Sequence, residues 1–298
     1  MTLLKILRTV GLSMALLLAA TTNSAHHEEL PKFNVTALAG NLLMLQGKGG
    51  NLALLSGAQG LVLVDNDYQK MSTALEAALA DYGGAEKLAY IINTHWHGDH
   101  TGGNLALGQY ASIVAHDNVR ERLLSAQEIQ LFKMKSDPYP AIAVPSITYK
   151  KAMTLHINDE KVELVHFVGG HTDGDSVVFF KSANVVHTGD HFFNGFFPFV
   201  DVDSGGNVVK MAENMKLLLV MIDDDTKIIP GHGPLANKAD LTAFVEMLEG
   251  TTAEVKAKKD KGLGLEEIQQ QGLSDNWQAW TGGILSADVW ISIVYSSL

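Results

Sequence analysis

The 298-residue chain contains no cysteine. That absence excludes disulfides, thiolate nucleophiles, Cys-ligated zinc or iron–sulfur centres and a lipid-modified N-terminal cysteine. Any metal must therefore be held by His, Asp or Glu. Basic residues are scarce as well: 22 Lys and Arg against 33 Asp and Glu give a formal net charge of −11, which repels phosphate backbones and argues against nucleic acid as a partner. No apolar run reaches the roughly 20 residues that a membrane-spanning helix needs. What is present is globular in composition, with 46% hydrophobic and 18% charged residues, enough to bury a large core in one main domain.

Lys5 and Arg8 precede an apolar stretch at residues 10–20, and small polar residues follow as far as Ala25. This is the order of a secretory signal peptide, residues 1–25, with a single domain at 26–298. Its removal takes away two basic and no acidic residues, shifting the charge from −11 to −13, and leaves nothing that inserts stably into a membrane. Paired arginines are absent, which fits export of an unfolded chain that acquires metal outside the cytoplasm. A periplasmic or secreted bacterial location is expected.

Between residues 34 and 67, VTAL, NLLMLQ, NLALLS and GLVLVDND are short β-rich runs broken by glycine, the pattern of sequential antiparallel strands. GKGGN, residues 47–51, lacks the Lys-Ser/Thr of a phosphate loop and reads as a hairpin turn. Residues 71–82 are helical in pattern, LAYIIN and IVAH are strands, and DNVRERL starts a helix capped by Asp117. Residues 131–148 hold three of the 7 prolines without periodicity, so a loop is expected there. TLHI and KVELVHF form a hairpin turning at Asn158 and Asp159, and VVFF and VVHTGD form another. Residues 208–222 are helical and lead into the strand KIIP; residues 239–261 and the C-terminal segment are helical again, with the basic KAKKDKG as a solvated helix end. Strands then helix, twice, predicts an α/β fold of two face-to-face sheets with helices outside.

The chemistry concentrates in INTHWHGDHTGGN, where His95, His97, Asp99 and His100 directly follow a buried strand. In an extended segment, positions two apart point to the same side, so His95 and His97 can hold one ion together. Asp99 and His100, displaced by a turn at Gly98, can face a second ion. Three more candidates sit in loops after strands: His171, Asp190 and His232. His116, His156, His166 and His187 read as surface or satisfied core residues, whereas His191, next to Asp190, is a weaker candidate for a place in the site. Asp173, Asp175, Asp201 and Asp203 read as turn residues, and Trp277, Trp280 and Trp290 as packing residues.

HxHxDH followed by separate His, Asp and His motifs resembles the metallo-β-lactamase-fold superfamily of hydrolases, in order and spacing from about Asn34 to the end. The resemblance implies an αββα sandwich of two mixed sheets with helices on the outer faces and metals at one sheet edge. It implies that His95, His97 and His171 bind a first ion and Asp99, His100 and His232 a second. Asp190 would be the bridging carboxylate, and Asp65, ending GLVLVD, would stand behind the ligands. Asp99 and Asp190 are then the candidate catalytic carboxylates. Two Zn2+ fit this donor set, which iron or manganese also tolerates.

Two divalent ions, two carboxylates and a bridging hydroxide would leave the core at a charge of about +1, suited to an acyl oxygen or a carboxylate. The expected function is an exported zinc-dependent hydrolase that uses a metal-bridging hydroxide on a small acyl substrate: a lactam, lactone or ester. β-Lactamases that bind the second metal through cysteine are excluded by composition. Those using Asp, His and His remain an alternative, although Asp190 resembles instead the glyoxalase-II-like and lactonase branches. A further alternative is an iron-dependent oxidoreductase of sulfur compounds or oxygen in the same ligand frame. The expected partner is a small-molecule acyl substrate, with residues 131–148 and FFNGFFPF (192–199) as pocket walls.

Overall fold

Strand segments such as LALL, LVLV and SVVFF are apolar with little alternation, the pattern of strands covered on both faces. In the computed structural model, which describes residues 31–298, such strands build two sheets packed face to face; the signal segment proposed at residues 1–25 lies outside the described residues. In chain order the strands are β1 (Asn34–Ala39), β2 (Leu42–Gln46), β3 (Leu52–Leu55), β4 (Leu61–Val64), β5 (Leu88–Ile92), β6 (Ser112–His116), β7 (Gln127–Ile129), β8 (Met134–Ser136), β9 (Ile147–Tyr149), β10 (Ala152–Ile157), β11 (Glu160–His166), β12 (Ser176–Phe180), β13 (Val185–His187) and β14 (Lys227–Ile229). The helices are α1 (Ser72–Ala80), α2 (Gly98–Thr101), α3 (Asn104–Leu107), α4 (Asp117–Leu123), α5 (Val208–Met221), α6 (Lys238–Lys259), α7 (Leu265–Gln271) and α8 (Ala287–Ser297).

The first sheet runs β1-β2-β3-β4-β5-β6-β9, antiparallel through β4 and parallel beyond it. The second runs β10-β11-β12-β13-β14, parallel only between β13 and β14. Alternate residues of a strand face opposite sides, and both sides are used. Leu42 and Met44 of β2 pack in the layer between the sheets against residues such as Leu164, Val178 and Phe180. Leu43 and Leu45 turn outward onto Leu75 and Leu79 of α1. In β12, Val177 and Phe179 face the other way, onto Met211 and Met215 of α5, Phe244 of α6 and Ile291 of α8. The result is the αββα layering expected from the sequence.

Asn158 and Asp159 close the β10–β11 hairpin with φ of 55° and 59°, the backbone that a two-residue turn between twisted strands requires. The basic end of α6 is solvated as read, with Lys256 paired to Asp260 at 2.8 Å. Two expectations need correction. Residues 131–148 are not one loop: β8 pairs with β7 in a hairpin, and β9 joins the first sheet through parallel pairing with β6. Their brevity and the prolines hid both. The cap of α4 is His116, whose Nδ1 accepts from the Asn118 N–H at 3.2 Å, rather than Asp117, which is already helical.

Asp65 follows the carboxyl end of β4, His95 to His100 that of β5, His171 that of β11, Asp190 that of β13 and His232 that of β14. The two sheets thus deliver every candidate site residue to one edge of the sandwich, where loops rather than ladders position side chains. Among the described residues no helix is long and apolar enough to cross a membrane.

Candidate metal centre

The loop after β5 is set by Asp65. This residue takes a left-handed backbone, φ 58°, which aspartate tolerates better than most side chains. Its fully buried carboxylate accepts from the Thr94 N–H at 2.8 Å, from the Thr94 hydroxyl at 2.7 Å and from His100 Nδ1 at 2.7 Å. Because the Thr94 hydroxyl donates to Asp65, its oxygen is left to accept from His95 Nδ1, 3.1 Å away. The His95 proton is therefore on Nδ1. Its buried Nε2 has no hydrogen-bond partner.

The same reasoning fixes the other imidazoles. His171 Nδ1 donates to the Phe199 carbonyl at 2.8 Å, leaving Nε2 as a lone pair. His97 Nε2 donates to the Asp201 carboxylate at 3.0 Å, leaving Nδ1. These two inner nitrogens stand 2.8 Å apart, close enough to share a proton, and both converge on the position of one cation that could displace it. His100 gives its Nδ1 proton to Asp65 and turns Nε2 toward Asp190 Oδ1 at 3.0 Å, His232 Nε2 at 3.5 Å and Asp99 Oδ2 at 3.7 Å. The donor atoms fall into two groups, His95, His97, His171 and Asp190 in one and Asp99, His100 and His232 in the other, each within 4.8 Å. Asp190 reaches across: its Oδ2 lies 3.5 Å from His171 Nε2 and 3.4 Å from His232 Nε2. Inward imidazole nitrogens, a carboxylate between the groups and an orphaned buried nitrogen fit the donor set of a dinuclear metal site.

The electrostatics agree. Burial and the neighbouring His100 push His95 well below the ordinary imidazole range, and burial pushes His171 down to about 4, so both are neutral ligands at pH 7. His232 behaves oppositely: burial disfavours its charge, but Asp190 and Asp99 push it up to about 9. Burial likewise opposes charge on Asp190, yet His100 and His232 hold it well below the carboxylate range.

All seven ligand candidates named from sequence are brought together, with Asp65 behind His100. His191 is not among them: it is buried, takes a hydrogen bond from Asn214 Nδ2 at 3.1 Å, and joins neither group. His187 is a satisfied core histidine bonded to the Asn51 carbonyl at 2.9 Å, and His116 and His166 stack on each other with ring centroids 3.7 Å apart. Asp175 shapes its turn by accepting from the His171 and Thr172 N–H groups at 2.7 and 2.8 Å. Asp201 needs correction, because besides capping its turn through the Ser204 N–H it orients His97. No local pattern marks that second role, since 104 residues separate the partners. Thr94 was also missed, though its place before HxH was a signal. Close packing completes the site: a Cβ on Gly50 would stand 2.1 Å from the His100 ring, and one on Gly231 would stand 2.1 Å from Asp190 Oδ1.

A cavity of about 220 Å³ opens over these groups, lined by His97, Asp99, Asp190 and His232, by Lys48 and Tyr68, and by an apolar wall that includes Phe132, Met134, Phe193, Phe196 and Phe199. Residues from both segments expected to form pocket walls are present. Burial and Asp99 push the Tyr68 hydroxyl up to about 12, so it stays a proton donor.

Comparison with known proteins agrees with this geometry. The metallo-beta-lactamase superfamily model matches residues 53–232. The chain belongs to that superfamily. That superfamily includes dinuclear metal-dependent hydrolases. It is 28% identical over 208 residues to a beta-lactamase-like protein 2 homolog of Caenorhabditis elegans, an alignment covering 64% of this chain and 58% of that protein. It is 25% identical over 238 residues to a metallo-beta-lactamase type 2 of Bacillus sp. (strain 170), covering 75% and 78%. Among solved structures, the stereoselective inverting sec-alkylsulfatase Pisa1 from Pseudomonas sp. superposes with a TM-score of 0.66 at 16% identity, over 88% of this chain and 50% of that one. That last likeness concerns the fold alone. The chain thus spans between half and four fifths of the length of these three proteins.

One consequence is testable through pH. A folded-state pKa of about 9 for His232, above the ordinary 6.5, stabilises the protein below pH 6.5, and that stabilisation is lost as pH rises through 9. Melting temperature of chelator-treated protein should therefore fall between pH 6.5 and 9.5, and saturating metal, which replaces the proton, should remove most of the fall. A chelated protein whose melting temperature is flat over this range would refute the assignment.

Proposed function

We propose that the protein is an exported, zinc-dependent hydrolase of a small acyl substrate: a lactam, lactone or ester. The observation that carries this reading is the position of Asp190, whose carboxylate stands between the two donor groups. When bound, a pair of divalent ions supplies Lewis acidity and a hydroxide nucleophile at neutral pH. The chain supplies the rest. His95, His100 and His171 are sealed from solvent, so their geometry does not depend on substrate. Asp99 and His232 keep part of their side chains open, 19% and 23%, and so are the donors a substrate can meet. Phe193, Phe196 and Phe199 exclude water from one side, which strengthens electrostatic interactions within the cavity. Neutral imidazoles and carboxylates favour zinc over softer alternatives.

Export is supported by the basic, apolar and small-residue order of residues 1–25. Intact mass of the protein recovered outside the cytoplasm should lack those residues; a mass that retains Met1 to Ala25 would refute cleavage.

The catalytic reading is tested by Asp190→Ala beside Asp203→Ala, an exposed turn residue, on a panel of penicillin, lactone, thioester and phosphodiester substrates. Loss of a preorganised charged group costs a rate factor on the order of a hundred or more. Asp190→Ala should lose at least that on the best acyl substrate while keeping a folded circular dichroism spectrum; Asp203→Ala should lose almost nothing. Near-normal turnover in Asp190→Ala with two metals bound would remove the bridging role, and a best substrate among the phosphodiesters would remove the acyl assignment.

A further inference from the structure

The GKGGN hairpin turn between β2 and β3 does not project into solvent alone; it is fastened to the metal centre. The Gly50 N–H donates to the Asp99 carbonyl at 3.1 Å and the Lys48 N–H to Asp67 Oδ2 at 2.9 Å. A Cβ on Gly49 would stand 2.6 Å from that same Asp99 carbonyl. The turn is held against the loops that carry the donors, and its only long side chain, Lys48, lines the cavity with Asp99 and Tyr68.

Lys48 is the sole Lys or Arg lining that cavity. Like several other exposed lysines it has no ion-pair partner among the described residues; what sets it apart is its place on the cavity beside the donor groups. In a protein with a net charge of −11, this cation at the mouth of the cavity is free to attract an anion. Other parts of the rim have the opposite character. Phe132, Met134 and Ile284 line the same cavity while 37%, 51% and 72% exposed. Large apolar side chains grouped around a polar centre mark a binding surface rather than ordinary surface noise.

We propose that the substrate is a lipophilic anion, with a carboxylate remote from the scissile bond seated at Lys48 and an apolar body against Phe132, Met134 and Ile284. The reaction part of this inference rests on the acyl-hydrolase reading; the binding part does not. A matched pair of 4-nitrophenyl esters, hemiadipate and hexanoate, has equal chain length and differs by one terminal carboxylate. In metal-loaded wild type, kcat/KM for the hemiadipate should exceed that for the hexanoate about tenfold at low salt, the ratio should fall to about one in Lys48→Met, and Lys48→Arg should retain it. Melting temperature and metal content of each variant report that the fold and the donor groups are intact.

Calorimetric binding of octanoate and octanamide to the same metal-loaded proteins reads the site without turnover. Octanoate should bind more tightly in wild type, and Lys48→Met should lose most of that difference. If neither ester is cleaved but octanoate binding remains dependent on Lys48, acyl-ester hydrolysis is refuted and the lipophilic-anion site stands. If wild type shows no preference for the anion, or Lys48→Met keeps it, the site is overturned.

Discussion

Four histidines each give away one ring proton outward, and the site follows from where those protons go. Thr94, Asp201, the Phe199 carbonyl and Asp65 accept from His95, His97, His171 and His100 respectively. Each acceptor fixes one ring nitrogen and turns the other inward, so four inner nitrogens converge; His95 Nε2 is left without a hydrogen-bond partner, and, against the effect of burial, Asp190, Asp65 and Asp99 favour the charged form of His100. An unsatisfied buried polar group costs about 1–3 kcal/mol, and His95 Nε2 is one, held beside the Asp190 carboxylate at 3.8 Å. A cation placed there would satisfy it together with the other converging donors.

The rest of the architecture serves this convergence. Helices cover both outer faces of the sheets, so central strands such as β3, β4 and β12 can be apolar on both faces, and five strand carboxyl termini deliver site residues to one edge. Asp65 links the layers of that edge: one carboxylate holds the backbone of the β5 loop, a threonine that sets one imidazole, and a second imidazole directly. Glycine appears where the hairpin after β2 and the loop after β14 must lie against the donors, at Gly50 and Gly231. The loops are therefore rigid on the donor side and variable on the pocket side, where Phe132, Met134 and Ile284 are exposed to solvent. Such a division lets one metal centre take different substrates as its rim changes.

The candidate ligands were legible in the sequence because they are local: HxHxDH packs four donors into six positions, and His171, Asp190 and His232 each stand in a loop after a strand. The sandwich was legible too, since unalternating apolar runs such as SVVFF are what strands covered on both sides require. What escaped was nonlocal or short. Asp201 orients His97 from 104 residues away, and its sequence context is that of the turn it also caps. β7, β8 and β9 have three residues each, too few for periodicity to register, and prolines between β8 and β9 imitate a plain loop. Lys48 stands among glycines that read only as a turn, because the ligand loop they touch lies about 50 residues on.

The central claim is that two donor groups sharing Asp190 hold two ions. It is tested most directly by a crystal structure of the zinc-loaded protein with anomalous scattering measured at the zinc edge. Two peaks roughly 3.5–4 Å apart are expected, one on His95, His97 and His171, the other on Asp99, His100 and His232, with the Asp190 carboxylate touching both. A single peak at saturating zinc, or two peaks with Asp190 turned away from either, would contradict it.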